Sequence, residues 1–218
     1  MPRRCVFCGT RCQLSDASMC EDCLSDLPWN RCAGQPCMPP FVATVAPLSY
    51  SFPVDAALKA LKFKRRLDYV PAFAELLRRI FGELPDDIDA LLPVPLHWRR
   101  HAIRGFNQAV ELCGPIRKQT ALPLLTSIKR VKPTSKQSGL DAAERRRNLK
   151  DAFVAMRPVD MRHVLIVDDV ITTGETCRQL ANVVLSAGAQ KVSMLAVASV
   201  GAALEPRNDR APRGASTS

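Results

Sequence analysis

The chain has 218 residues, of which 47% are hydrophobic and 24% charged, so it has the balance of a soluble globular protein with one ordinary core and a small appendage. No apolar run reaches the roughly 18 residues of a membrane span, and Met1-Pro2-Arg3-Arg4-Cys5 has no apolar stretch behind it. Membrane insertion and a secretory signal are therefore not expected, the expected location is the cytoplasm, and the net charge of +10 points to a polyanionic partner.

Residues 1–40 are rich in Cys, Pro and Gly and lack hydrophobic periodicity. Seven of the nine cysteines fall here, and in a reducing compartment such crowding favours a metal over disulfides. Cys5-Val6-Phe7-Cys8 and Cys20-Glu21-Asp22-Cys23 are two C-x-x-C knuckles separated by 11 residues. Four thiolates close a tetrahedral structural Zn²⁺ site, and the bound metal supplies folding energy to a piece too small to fold alone. Cys12, Cys32 and Cys37 receive no role, while Cys113 and Cys177 fall on predicted helices as buried apolar residues. Pro36, Pro39 and Pro40 mark a boundary. The expected organisation is a zinc-finger module over 1–40, a larger domain over 41–203 and a disordered tail over 204–218.

Beyond Phe41, apolar residues at helical spacing predict one or two helices between 54 and 82. Residues 88–96 read as a buried strand running into a proline-stiffened loop. A helix is predicted from Phe106 to Gln119, interrupted at Gly114-Pro115. A strand at Ser127–Val131, a polar loop to Leu140 and a short basic helix at Asp141–Leu149 follow. Strands at Ala152–Met156 and His163–Val167, a helix from Gly174 to Ala187 stopped by Gly188, and a last strand at Val192–Val200 complete the pattern. Alternating strands and helices predict an α/β fold, a mostly parallel sheet flanked by helices. Thirteen Lys and Arg but only Glu111, Asp141 and Glu144 lie between Val94 and Lys150, so that stretch carries the whole net charge.

The most informative segment is Val164-Leu165-Ile166-Val167-Asp168-Asp169-Val170-Ile171-Thr172-Thr173-Gly174-Glu175-Thr176. Its apolar run predicts a central parallel strand ending at Asp168-Asp169, and open α/β sheets bind ligands beyond such ends. Thr172, Thr173 and Gly174 then open a helix, whose unpaired N–H groups and dipole favour an anion. Gly174 admits a phosphate without a Cβ in the way. Carboxylates at one end accept hydrogen bonds from ribose hydroxyls, and the loop donates to a 5′-phosphate. No Gly is followed by Lys, so a Walker NTPase loop is excluded.

This segment resembles the signature of the type I phosphoribosyltransferases, which implies phosphoribosyl diphosphate (PRPP), bound with Mg²⁺, as ligand. Three further stretches, Pro93 to Arg100 with Arg104-Gly105-Phe106-Asn107-Gln108-Ala109, Gln137-Ser138-Gly139-Leu140, and Arg145-Arg146-Arg147-Asn148-Leu149, join the paired cysteines in resembling the ComF family, the competence-protein and GntX-like group. The resemblance covers roughly residues 5 to 200 and implies a phosphoribosyltransferase fold behind a zinc finger. It also implies a role in natural transformation, handling incoming single-stranded DNA beside other DNA-uptake proteins. An alternative that it implies is an active, amidophosphoribosyltransferase-like enzyme with an unidentified acceptor.

In this fold Asp168 and Asp169 orient the ribose as the catalytic pair, and Val170, Thr172, Thr173, Gly174, Glu175 and Thr176 cradle the phosphate. The Pro93–Arg100 loop faces the diphosphate, with Arg99 and Arg104 pairing to its oxygens. Lys129 to Leu140 is placed as a hood over the site. Arg130, Lys132, Lys136, Arg145 and Arg146 are the candidate nucleic-acid contacts, and few aromatics (6%) argue for backbone contact over extensive base stacking. Asn107, Gln108, Gln137 and Asn148 read as structural hydrogen-bonders, and His97 and His101 as structural or surface residues.

Overall fold

The computed structural model describes residues 4–12, 17–30, 39–132 and 151–200. Its centre is a five-stranded, all-parallel sheet. Strand β6 (His163–Ile171) lies between β3 (Ala90–Pro93) and β7 (Lys191–Ser199), and the short β1 (Ala43–Val45) and β2 (Leu48–Ser49) share the outer edge of β7. A separate antiparallel pair joins β4 (Ile128–Arg130) to β5 (Phe153–Ala155). No helix among the described residues is long and apolar enough to cross a membrane.

Alternation along the strands divides the core in two. Leu91, Leu165, Val167, Leu195 and Val197 face one way, onto α2 (Val54–Lys64), α3 (Tyr69–Ile80) and α5 (Gln108–Thr120). Leu92, Val164, Ile166, Met194 and Ala196 face the other way, onto α6 (Glu175–Ser186) and the β4–β5 pair. Both faces of the central strands are thus covered, which is why they read as continuous apolar runs. Helix α2 buries Val54, Ala57, Leu58 and Leu61, the spacing of a single apolar stripe. Arg65 ends it in the left-handed conformation (φ 53°), with its Nη2 donating to the Ile103 carbonyl at 3.0 Å.

Several expected boundaries move. Helix α5 runs through Gly114-Pro115 without interruption, because Leu112, Cys113 and Ile116 are buried on either side of the proline and hold both halves to the core. The loop expected after β3 gives way at Trp98 to a helix, α4 (Trp98–Arg104), which His97 caps by accepting from the Arg99 N–H at 3.3 Å and which Gly105 ends at φ 78°. The expected helix at 141–149, the tail from 204, Cys32, Cys37, Gln137 and Asn148 lie outside the described residues.

The N-terminal residues are packed onto the larger domain rather than apart from it. Phe7 meets Tyr69 and Phe73 edge-on at 5.5 and 6.3 Å, and Leu27 is buried in the core under α3. Trp29 forms a bridge with Leu48, and Asn30 Nδ2 donates to Ser199 Oγ at 3.0 Å, tying this segment to the sheet edge.

Two details give measurable outcomes. Gly188 has φ 128°, and a Cβ there would meet the Val159 carbonyl oxygen at 2.7 Å. Backbone strain and the clash act together, so Gly188→Ala is expected to destabilise by about 2 kcal/mol or more, seen as a thermal midpoint lower by several degrees. At the opposite end of the sheet from the Asp pair, Asp87 accepts from Lys191 at 2.7 Å and pairs with buried His163 at 2.6 Å, which in turn meets Ser193 at 2.8 Å. Lys191 first and His163 second hold the Asp87 carboxyl down at about 2. A depressed acid stabilises the fold above its ordinary value, near 4, and loses that contribution as pH falls toward 2. Melting curves of wild type and Asp87→Asn are therefore expected to differ at pH 5 and to converge by pH 2.

Candidate functional site

Strand β6 does not stop at Asp168. It continues through Val170 and Ile171, because β7 offers partners as far as Ser199: Asp168 lies opposite Ala196, Val170 opposite Ala198 and Ile171 opposite Ser199. Both acidic residues and Val170 are therefore strand residues, with Val170 in the core and the turn confined to Thr172, Thr173 and Gly174. The two threonines are exposed. Gly174 takes φ 71°, outside the comfortable range of residues with a Cβ, and α6 begins behind it at Glu175. Thr173 Oγ1 accepts weakly from the Glu175 N–H at 3.5 Å. The Glu175 carboxylate turns back onto its own helix, pairing with Arg178 at 3.1 Å and accepting from Gln179 at 3.0 Å, so it is buried instead of facing the loop. Thr176 is half-buried on the first turn.

Neighbouring residues of a strand point to opposite faces, and the two aspartates accordingly have different surroundings. Asp169 is buried against α2 and α5, where Lys62 Nζ lies 2.9 Å from Oδ2 and Gln108 Nε2 donates to the same oxygen at 3.0 Å. Asp168 is half-buried and accepts from the Asp169 N–H at 2.9 Å. Burial first, and the adjacent Asp169 charge second, push the Asp168 carboxyl up to about 7. The site thus pairs a carboxylate held by Lys62 and Gln108 with one that burial and its neighbour raise to about 7. Lys62 escaped the sequence reading: it is one lysine in the last turn of an amphipathic helix, with no motif to mark it.

The segment after β3 is pinned beside this strand. Val94 N–H donates to the Val167 carbonyl at 2.9 Å, and Asn107 Nδ2 donates to the Val94 carbonyl at 3.0 Å while its Oδ1 caps α5. Arg99 and Arg104 sit on α4, not in a loop; Arg99 lies over the Trp98 ring at 5.2 Å and Arg104 over the Phe63 ring at 5.5 Å. Arg104 shares a cleft with Lys62, and through Lys62 it neighbours Asp169. Arg130, partly buried on β4, packs over Phe153 at 5.4 Å. Burial and the Arg100 charge lower its guanidinium to about 10, against a smaller opposing pull from Asp168. Lys132 reaches Asp151 at 3.6 Å. Lys136, Arg145 and Arg146 lie outside the described residues.

The four expected sulfurs converge. Cys5, Cys8, Cys20 and Cys23 bring their Sγ atoms within 4.8 Å of one another, and Cys8 and Cys20 are 3.6 Å apart. Four thiolates about 2.3 Å from a central Zn²⁺ stand about 3.8 Å from each other, so the group fits that ion and leaves no open position. Each pair lies on a turn that the backbone closes: Gly9 N–H donates to Cys5 O at 2.9 Å, and Leu24 N–H to Cys20 O at 3.0 Å. The Thr10 hydroxyl first, and its N–H second, stabilise the Cys8 thiolate and lower it to about 6. Cys12 is buried but is not one of this four-sulfur group.

No family model matches the chain. It is 38% identical over 204 residues to DNA utilization protein YhgH of Salmonella typhimurium, covering 87% of each chain. It is 32% identical over 207 residues to competence protein F of Haemophilus influenzae, covering 89% of this chain and 83% of that one. Among solved structures, it resembles glutamine PRPP amidotransferase from B. subtilis (TM-score 0.44, 18% identity, 65% of this chain and 30% of that one). It also resembles adenine phosphoribosyltransferase from Leishmania tarentolae (TM-score 0.40, 12% identity, 73% of this chain and 94% of that one).

Proposed function

We propose, for a chain that belongs to the ComF family with DNA utilization protein YhgH and competence protein F, that it binds PRPP and handles single-stranded DNA in the cytoplasm during DNA uptake. The observation that carries the PRPP half is Asp168-Asp169 at the carboxyl side of the central strand, with Asp169 five residues before a left-handed Gly174 that opens a helix. Asp168 accepts from the ribose hydroxyls, and Asp169, held by Lys62 and Gln108, fixes the strand end that presents it. The exposed Thr172 and Thr173 and the first N–H groups of α6 face the 5′-phosphate. Mg²⁺ arrives with the diphosphate and offsets its charge. Arg104, which neighbours Asp169 through Lys62, and Arg130, near Asp168, supply positive charge beside the site. Zn²⁺ on the four cysteines is structural. DNA attaches through the basic 94–150 stretch, and other DNA-uptake proteins receive or deliver the strand.

The test is to mix zinc-loaded protein with PRPP, Mg²⁺ and a single-stranded oligonucleotide, and to follow released diphosphate and retained complex together. A PRPP-dependent, salt-sensitive complex with no diphosphate release is the expected result. Stoichiometric diphosphate release identifies a transferase instead. Absence of both PRPP and oligonucleotide binding refutes the proposal.

A further inference from the structure

A cleft of about 310 Å³ opens between the end of α2 and α4, lined by Lys62, Phe63, Arg65, Arg100, Ile103 and Arg104. Four of the six lining residues are cations and none is an acid. Lys62 is already paired with Asp169, so Arg65 and Arg104 add positive charge to the cleft beyond that pair. Arg100 is half-buried, and burial together with the Arg104 charge disfavours its charged form. An incoming anion relieves that repulsion. Arg65 is positioned in advance: its left-handed backbone and its hydrogen bond to the Ile103 carbonyl join the two walls of the cleft.

The two remaining lining residues are apolar and stand in solvent. Phe63 is 62% exposed and Ile103 is 77% exposed. Neither contributes to the core, and Arg104 already lies over the Phe63 ring at 5.5 Å. A bare phosphate or diphosphate has no use for an exposed ring between arginines. A nucleotide unit of a single strand uses both features, because its phosphate pairs with guanidinium groups while its unpaired base stacks on the aromatic face. A duplex keeps its bases inside and cannot use the ring.

We infer that this cleft is a contact site for single-stranded nucleic acid, with Arg65, Arg100 and Arg104 holding a backbone phosphate and Phe63 carrying the adjacent base. The inference deepens the DNA-handling reading and rests on it. Lys62, shared with Asp169, places the strand directly beside the proposed sugar-phosphate site.

The experiment uses the zinc-loaded full chain and a fluorescent 20-nucleotide deoxythymidine oligomer, read by anisotropy in the presence of PRPP and Mg²⁺, with PRPP binding measured separately by calorimetry on the same proteins. Phe63→Ala removes the ring, Ile103→Glu puts an acid between the arginines, and Val110→Glu makes the same charge change on α5. The first two positions are exposed, so the variants are expected to fold, and circular dichroism checks this. Phe63→Ala is expected to weaken oligomer binding about fivefold or more, and Ile103→Glu about tenfold or more at low salt. Val110→Glu is expected to change it by less than about twofold, with PRPP affinity unchanged by Phe63→Ala. Wild type that binds the oligomer while both cleft variants bind it equally well overturns the cleft assignment but leaves the DNA reading standing. Wild type that does not bind the oligomer ends both. Loss of PRPP affinity with oligomer binding intact assigns the cleft to the diphosphate and overturns the inference.

Discussion

Asp168→Asn/Asp169→Asn is expected to bind PRPP about a thousandfold more weakly than wild type in calorimetry, the loss that follows when charged hydrogen bonds of about 1.5–3 kcal/mol each disappear. The single variants should part company in stability. Asp168 carries a carboxyl raised to about 7, so above that pH the folded protein holds a charge that burial and Asp169 both oppose. The sign follows from proton counting: between pH 4 and 7 the folded state binds a proton that the unfolded state has shed, so this group's contribution falls as pH rises. Asn keeps the oxygen that accepts from the Asp169 N–H and removes the charge. Asp168→Asn is thus expected to melt a few degrees above wild type at pH 8, from about 1–2 kcal/mol after allowance for partial exposure. Asp169→Asn is expected to melt lower, because Lys62, with 17% side-chain exposure, loses its buried partner. Wild-type PRPP affinity should also decline below about pH 7, as Asp168 takes up the proton that weakens it as an acceptor. Unchanged PRPP affinity in the double variant removes the ribose assignment. An Asp168→Asn protein that melts no higher than wild type removes the charge argument alone.

How far the sequence revealed this arrangement depended on how local the determinants were. The strand at 163–171 and its turn were legible because an unbroken apolar run, two acids and a Thr-Thr-Gly turn lie within 13 residues. The strand's true end was not, since Val170 and Ile171 are held in register with Ala198 and Ser199 of a neighbouring strand. The partnership of Lys62 with Asp169 joins residues far apart in the chain, and only the packing of α2 against the sheet brings them together. Gln108 was legible as an amide with a structural hydrogen bond, but not as the group that holds Asp169. Helix α4 is seven residues, four of them Arg or His, with no apolar stripe to betray it; its markers are the His97 and Gly105 caps. Strands β1 and β2 are three and two residues long, too short for a period to register, and they exist because β7 has a free edge there. The two C-x-x-C pairs lay at the other extreme, since ligand chemistry and spacing suffice to place four sulfurs together.

Removing the metal from that four-sulfur group is expected to have effects well beyond residues 4–30. Among its described residues the segment has a single helix of five residues, Glu21–Ser25, with no buried residue. Without the ion, little holds the two knuckles in place, because the affinity of such sites for Zn²⁺ is itself folding free energy. Yet Phe7 completes an aromatic group with Tyr69 and Phe73, and Leu27 fills the core beneath α3. Withdrawing half-buried Phe7 together with buried Leu27 forfeits burial of about 1.5–3 kcal/mol and aromatic contacts of about 0.5–1.5 kcal/mol. For a domain of this size, that lowers the thermal midpoint by roughly 5–15 °C. Trp29 reports the event locally, since its Nε1 donates to the Leu24 carbonyl of that helix at 3.1 Å, whereas Trp98 lies exposed at the start of α4. Chelation, or Cys20→Ser, is therefore expected to shift Trp29 emission to the red, admit protease within the first 30 residues and lower the melting midpoint. The other face of the sheet, with Val164, Ile166, Ile171 and the Cys177 and Leu180 side of α6, keeps its own cluster, so PRPP affinity should change by less than about twofold under the same treatment. A metal-free protein with unaltered Trp29 emission and proteolysis would show that the hydrophobic contacts of Phe7 and Leu27, rather than the ion, hold the knuckles in place.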